Sequence, residues 1–225
     1  MDKYDHAKNL IANKQKGAAK QLMKKYSFNL IEFDIHSSIV ADDLHQIGGV
    51  WKHILQAVEK MIKQLPDSLN IIDTITERAS HLPAYPGLRN FNNGILFSSY
   101  KRPTFSEMKD NLIILLPCVY QYLSPQAVIC IRKFIDFFIQ CTGKEFREVD
   151  LQKIEETVEE FYYYCPVFQD RSVSKSGFNF PKLHMLSKYT SDIRQYGPLS
   201  SYSTTHSEHK HIEIAKIPAR RTNHR

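Results

Sequence analysis

The feature that most constrains this chain is a succession of helix start signals, each followed by apolar residues at helical spacing. Thr104-Phe105-Ser106-Glu107 spells a capping box, a Thr N-cap with Glu three positions on, and Leu112, Leu115 and Leu116 continue the pattern. Pro117 predicts a kink in that helix. Ser124-Pro125 opens the next helix with a cap and a proline in the first turn, and Gly143 stands where it is expected to end. Upstream, Val50, Ile54, Leu55, Val58, Met61 and Ile62 recur at helical spacing after Gly48-Gly49 and stop before Pro66. A shorter helix is expected over 68–80 and another over 149–164, and residues 4–25 read as a basic helix with a weak apolar stripe. Strand signals are few: residues 28–35 alternate loosely, and residues 38–40 are a short β-branched run ending at Asp42-Asp43. Residues 81–103 carry Pro83, Pro86, Gly87, Asn92, Asn93, Gly94 and Pro103, the composition of a loop. The expected fold class is mainly α.

A chain of 225 residues holds one large domain or two small ones, and 42% hydrophobic residues are enough to fill a core. The formal charge of +6 and a pI of about 9.0 permit contact with nucleic acid without requiring it. That charge concentrates at the ends: residues 1–25 carry seven lysines, and the tail ends Arg220-Arg221-Thr222-Asn223-His224-Arg225. Cys118, Cys130, Cys141 and Cys165 form no CxxC pair, and three lie in apolar helical patterns, so buried reduced thiols are expected rather than a disulfide or zinc set. No N-terminal apolar segment reads as a signal peptide, and Arg132, Lys133 and Asp136 interrupt the most apolar run. A soluble intracellular protein, in nucleus or cytoplasm, is the expectation.

Local rules leave the chemistry-bearing residues open. Asp42 and Asp43, at the end of an apolar run and just before His45, suit a helix cap as well as a metal-binding carboxylate at a strand end. Glu107 completes a capping box by spacing alone. His184, between Leu183 and Met185, fits a core histidine bonded to a backbone group better than a catalyst. His206, His209 and His211 invite zinc, but their spacing matches no common signature and no cysteine is near. The N-terminal lysines suit a solvated helix face or phosphate contact.

The C-terminal third is the most distinctive part. Phe180-Pro181-Lys182-Leu183-His184, Tyr189, Ile193-Arg194 and Gly197 precede Tyr202, Thr204, Glu208, His211, Lys216, Arg220, Thr222 and Asn223. Together these resemble the Plavaka-type fungal DNA transposases, relatives of the KDZ and CACTA groups. Pro86-Gly87-Leu88-Arg89 with Phe91 and Gly94, and Asp42, Leu44-His45-Gln46, Gly49 and Lys52-His53, match further blocks of the same family in order. The resemblance implies a DDE-type enzyme that cuts and joins DNA with two Mg²⁺ ions held by three carboxylates on separated segments. It implies Asp42 as the second acid, with Asp43 as the alternative, and Glu107 as the third. His45, Gln46, Lys182, His184, Arg194, Glu208, His211, Lys216 and Arg220 are then motif residues, and the partners are DNA and other transposase subunits, with no membrane.

The chain also departs from the pattern. Thr205 stands where the family has glutamate, Ala219 replaces a tyrosine, and the interval from Gln46 to Gly49 is one residue short. No first catalytic aspartate is identifiable, since nothing in the motifs assigns that role to Asp34. The expectation is therefore the helical C-terminal part of a transposase: a basic segment over 1–27, a small remnant of an RNase H-like α/β core within 28–123, and a helical region over 124–225. Functionally it reads as a truncated, inactive relic whose Mg²⁺ is ancestral, or as a non-catalytic basic module that binds DNA or protein.

Overall fold

The computed structural model describes residues 40–83, 86, 88, 91, 94–96, 104–174, 176–204, 210, 211, 214, 215, 217 and 218. The expected basic helix over 4–25 and the extended segments over 28–39 lie outside these residues. Chain contacts separate residues 1–40 from residues 41–225, and the described helices all belong to the second unit.

Asp42 is extended and leads into a turn of π-helix (Asp43–Ile47), which continues directly into α1 (Gly48–Lys63). Then come α2 (Ser68–Ser80), α3 (Phe105–Val119), α4 (Pro125–Cys141), α5 (Glu148–Tyr164), the short α6 (Pro181–His184) and α7 (Tyr189–Tyr196). Among the described residues there is no strand, so the α/β remnant expected within 28–123 is not shown and the described part of that range is helical.

The helix limits follow the local signals. Thr104 Oγ1 accepts from Glu107 N–H while the Glu107 carboxylate accepts from Thr104 N–H, closing the box that starts α3. Ser124 Oγ accepts from Ala127 N–H with Pro125 in the first turn of α4. Pro117 sits inside α3, two residues before its end. Gly143 stands just past the end of α4, where it is expected, but without a left-handed conformation: Thr142 ends the helix, and Gly143 is not among the residues of positive φ. A Cβ there would approach the Phe146 ring to 3.0 Å, so close packing against that ring favours a glycine at this position. Gly94 does need its freedom: at φ 85° it closes a turn by donating to Phe91 O at 2.8 Å.

The core forms where apolar stripes meet. In α4 the buried residues Ala127, Cys130, Ile131, Phe134, Phe137, Phe138 and Cys141 recur at helical spacing. A six-residue connection turns the chain back, and α5 lays Leu151, Ile154, Val158 and Phe161 against that stripe. Phe134 joins the hairpin to the rest: its ring stacks on Trp51 of α1 at 6.0 Å and tilts against Phe161 at 5.3 Å. Burial of each such ring contributes about 1.5–3 kcal/mol. Trp51 Nε1–H donates to Asn111 Oδ1 at 3.0 Å, and Asn111 Nδ2–H donates to Ile95 O at 2.5 Å, so the polar atoms inside this junction are paired. All four cysteines are free and buried, as expected. No described helix is long and apolar enough to cross a membrane.

Candidate functional site

Asp42 is built into a cap before it is anything else. It is extended, with φ −108° and ψ 127°, and its Oδ2 accepts from His45 N–H at 3.0 Å. The reciprocal bond comes from its own N–H to Gln46 Oε1, and Gln46 N–H returns to Asp42 O at 2.9 Å. Every member of the Asp42, His45 and Gln46 motif thus serves the entry to one helix.

Distant residues then close over this cap. Thr204 N–H donates to Asp42 Oδ1 at 2.9 Å, and Ser203 Oγ–H donates to Asp43 Oδ1 at 2.6 Å. Tyr189 O–H donates to Asp42 O at 3.3 Å, and Ala41 N–H donates to Asp192 Oδ2 at 2.7 Å. Tyr189 is fully buried, with its ring edge-on to Phe137 at 5.2 Å. Asp192 is 2% exposed and meets Lys188 Nζ at 3.8 Å. His45 is half exposed and donates from Nδ1 to Asp42 Oδ2 at 2.5 Å. Burial alone would raise the Asp42 pKa; the bonds from Thr204 and His45 outweigh it and hold the carboxyl below its ordinary value of 3.8.

A second junction lies at the adjacent end of α1. The Lys182 side chain crosses Gly49 so closely that a Cβ there would meet its Nζ at 2.9 Å. The His53 ring stacks on Phe180 at 4.0 Å. Burial, then the charges of Lys52 and Lys182, push the His53 pKa below its ordinary 6.5. Phe180 stands edge-on to Phe178, a buried residue with φ 56°. That conformation costs a bulky residue about 1–3 kcal/mol, offset here by burial against Phe168. No pattern in the sequence hints at it.

The other sequence-derived residues are dispersed. Glu107 serves the Thr104 capping box. The helix it begins brings Phe105 to within 3.4 Å of where a Gly48 Cβ would stand. Arg194 is exposed and bridges α7 to Glu148 at 2.5 Å and Glu155 at 2.8 Å on α5, bonds that raise its pKa. His184 is a correction: it is exposed, not in the core, and its Nε2 meets the Asn179 side chain at 2.9 Å instead of a backbone group. Position 184 faces outward because Leu183 turns into the core beside it. His211 is exposed. Glu208, Lys216, Arg220, His206 and His209 lie outside the described residues.

Two Mg²⁺ ions of the kind implied by the resemblance need convergent oxygen ligands with free lone pairs. Both Asp42 oxygens are engaged within the chain, as is the Glu107 carboxylate. Among the described residues no group of three His, Cys, Asp or Glu stands ready to hold a metal ion. As arranged, both carboxylates serve as hydrogen-bond acceptors that fasten helix starts, Asp42 at the π turn and Glu107 at α3. Asp192, Lys188 and Ser203 complete the junction without belonging to a motif; their one signal in the sequence is adjacency to motif residues, Lys188 and Asp192 beside Tyr189 and Ile193, and Ser203 between Tyr202 and Thr204.

No family profile matches the chain, no curated protein matches it, and no solved structure matches it.

Proposed function

We propose that this chain is a DNA-binding domain derived from a DDE-type transposase of the Plavaka kind, in which Asp42 occupies an ancestral ligand position and now serves as an anchor. One observation carries the reading. The blocks that resemble the family are far apart in sequence, yet they meet in space: Asp42, His45 and Gln46 with Tyr189 and Thr204, and Gly49 and His53 with Lys182 and Phe180. Motif residues matched only by chance have no reason to be mutual partners. The Mg²⁺ of the ancestral reaction is no part of this proposal, which rests on the roles Asp42 and Glu107 have as hydrogen-bond acceptors within the chain.

Binding to DNA is supported by charge. The chain carries +6, and the first turn of α1 holds no acid, while Lys52 and Lys182 stand near His53. Lysines on phosphates release counterions, so affinity falls steeply with salt. Fluorescence anisotropy on generic duplex DNA tests this. The expected result is binding at low salt, a negative slope of log K against log salt, and a shallower slope in Lys52→Ala/Lys182→Ala. Absence of binding at low salt, or a slope near zero, overturns the proposal.

A further inference from the structure

Next to Asp43 lies an open cavity of about 470 Å³, a size typical of small-ligand sites. Its walls come from four places: Asp43 at the start of the π turn, Lys109 of α3, Phe138 and Cys141 near the end of α4 with Lys144 beyond it, and Ser200 of the turn after α7. Phe138, Cys141 and the adjoining Leu199 are buried and supply an apolar floor.

The polar groups around that floor are of two kinds. Asp43 Oδ1 is used twice, by Leu44 N–H at 2.9 Å and Ser203 Oγ–H at 2.6 Å. Asp43 Oδ2 accepts nothing among the described residues, so one carboxylate oxygen stays open to a donor from a ligand. Lys109 lies over the Phe105 ring at 4.9 Å, and neither Lys109 nor Lys144 makes an ion pair among the described residues. A simple anion would be attracted by the two ammonium groups but repelled by the carboxylate. A simple cation meets the reverse. The set suits a ligand with a flat apolar body, a hydrogen-bond donor at one edge and a negative group at the other.

We propose that this cavity binds one nucleoside monophosphate unit of a nucleic-acid strand. The base lies on the Phe138 and Leu199 floor, its amino group donates to Asp43 Oδ2, and the phosphate is held between Lys109 and Lys144. This rests on the DNA-binding reading and adds to it the unit that enters the fold.

Deoxyadenosine 5′-monophosphate is the probe, titrated into the ¹⁵N-labelled full chain with amide shifts read near Asp43, Lys109, Cys141 to Lys144 and Leu199 to Ser203. Deoxyadenosine and inorganic phosphate form separate arms. The expected result is saturable shifts with the nucleotide and affinity at least about tenfold weaker for either fragment, since each retains only part of the contacts. Lys144→Ala, at an exposed position whose loss leaves the core intact, is expected to weaken nucleotide binding about tenfold and leave deoxyadenosine unchanged. Phosphate binding as tightly as the nucleotide, or an unaffected Lys144→Ala, overturns the assignment. Salt-sensitive DNA binding without nucleotide shifts overturns this site alone. Nucleotide shifts in a chain that fails to bind DNA overturn the DNA reading and support the cavity as a nucleotide site.

Discussion

Asp42 holds one negative charge in a nearly enclosed position, and the direction of its pKa shift fixes how that charge acts on stability. Its folded pKa lies below the ordinary 3.8, so the unfolded chain binds the proton more readily. The stabilisation is then fully present well above that value and is lost as pH falls through the folded pKa. Asp42→Asn places an amide NH₂ against either the Thr204 or the His45 N–H, leaving a donor without an acceptor. The expected cost is about 1–3 kcal/mol at pH 7, and the loss of stability below about pH 4 becomes shallower than in the parent chain. Urea denaturation at pH 7 and at pH 3.5 checks both parts; a variant as stable as the parent at pH 7 removes Asp42 from its anchoring role. The cap and the closure by Thr204 are different kinds of information. His45 and Gln46 stand three and four residues away, so spacing exposes them, whereas Thr204 is 162 positions distant and no local rule reaches it.

Helix limits were the most legible layer of this molecule. The reciprocal bonds between Thr104 and Glu107 are dictated by a four-residue string, and they were readable because both partners lie within one turn. Thr104→Ala removes one acceptor for the first turn of α3 and is expected to cost about 1 kcal/mol. That corresponds to a fall in Tm of roughly 2–4 °C for a domain of this size. Thermal melts followed by circular dichroism check it, and an unchanged Tm refutes the cap's contribution. Gly143 was legible only in part: its place at the end of α4 was clear, but its close approach to the Phe146 ring is visible only once the loop is folded. His184 was misjudged for a related reason. In α6, which is a single turn, neighbouring residues face opposite ways, and the helical pattern is too short to show which of them is buried.

At the scale of the unit formed by residues 41 onward, rings tie the helices into one core. Trp51 of α1 meets Phe134 of α4, which meets Phe161 of α5, while Phe137 meets Tyr189 of α7. No helix in that series buries its apolar face alone. The unit is therefore expected to unfold in one cooperative transition, with calorimetric and van't Hoff enthalpies in agreement. A broad melt, or separate transitions for the α4–α5 hairpin and for α1, contradicts the shared core.

The sequence by itself determined the helices, because caps, prolines and apolar spacing act over three to seven residues and need no distant partner. It also determined the burial of Cys118, Cys130 and Cys141, since their apolar helical context is local. The tertiary structure alone decided what the acidic residues do. Spacing shows that Asp42 can cap the turn it begins, but only the fold shows what meets its other oxygen: Thr204, delivered by the packing of Tyr189 and Asp192 onto the start of the first described helix.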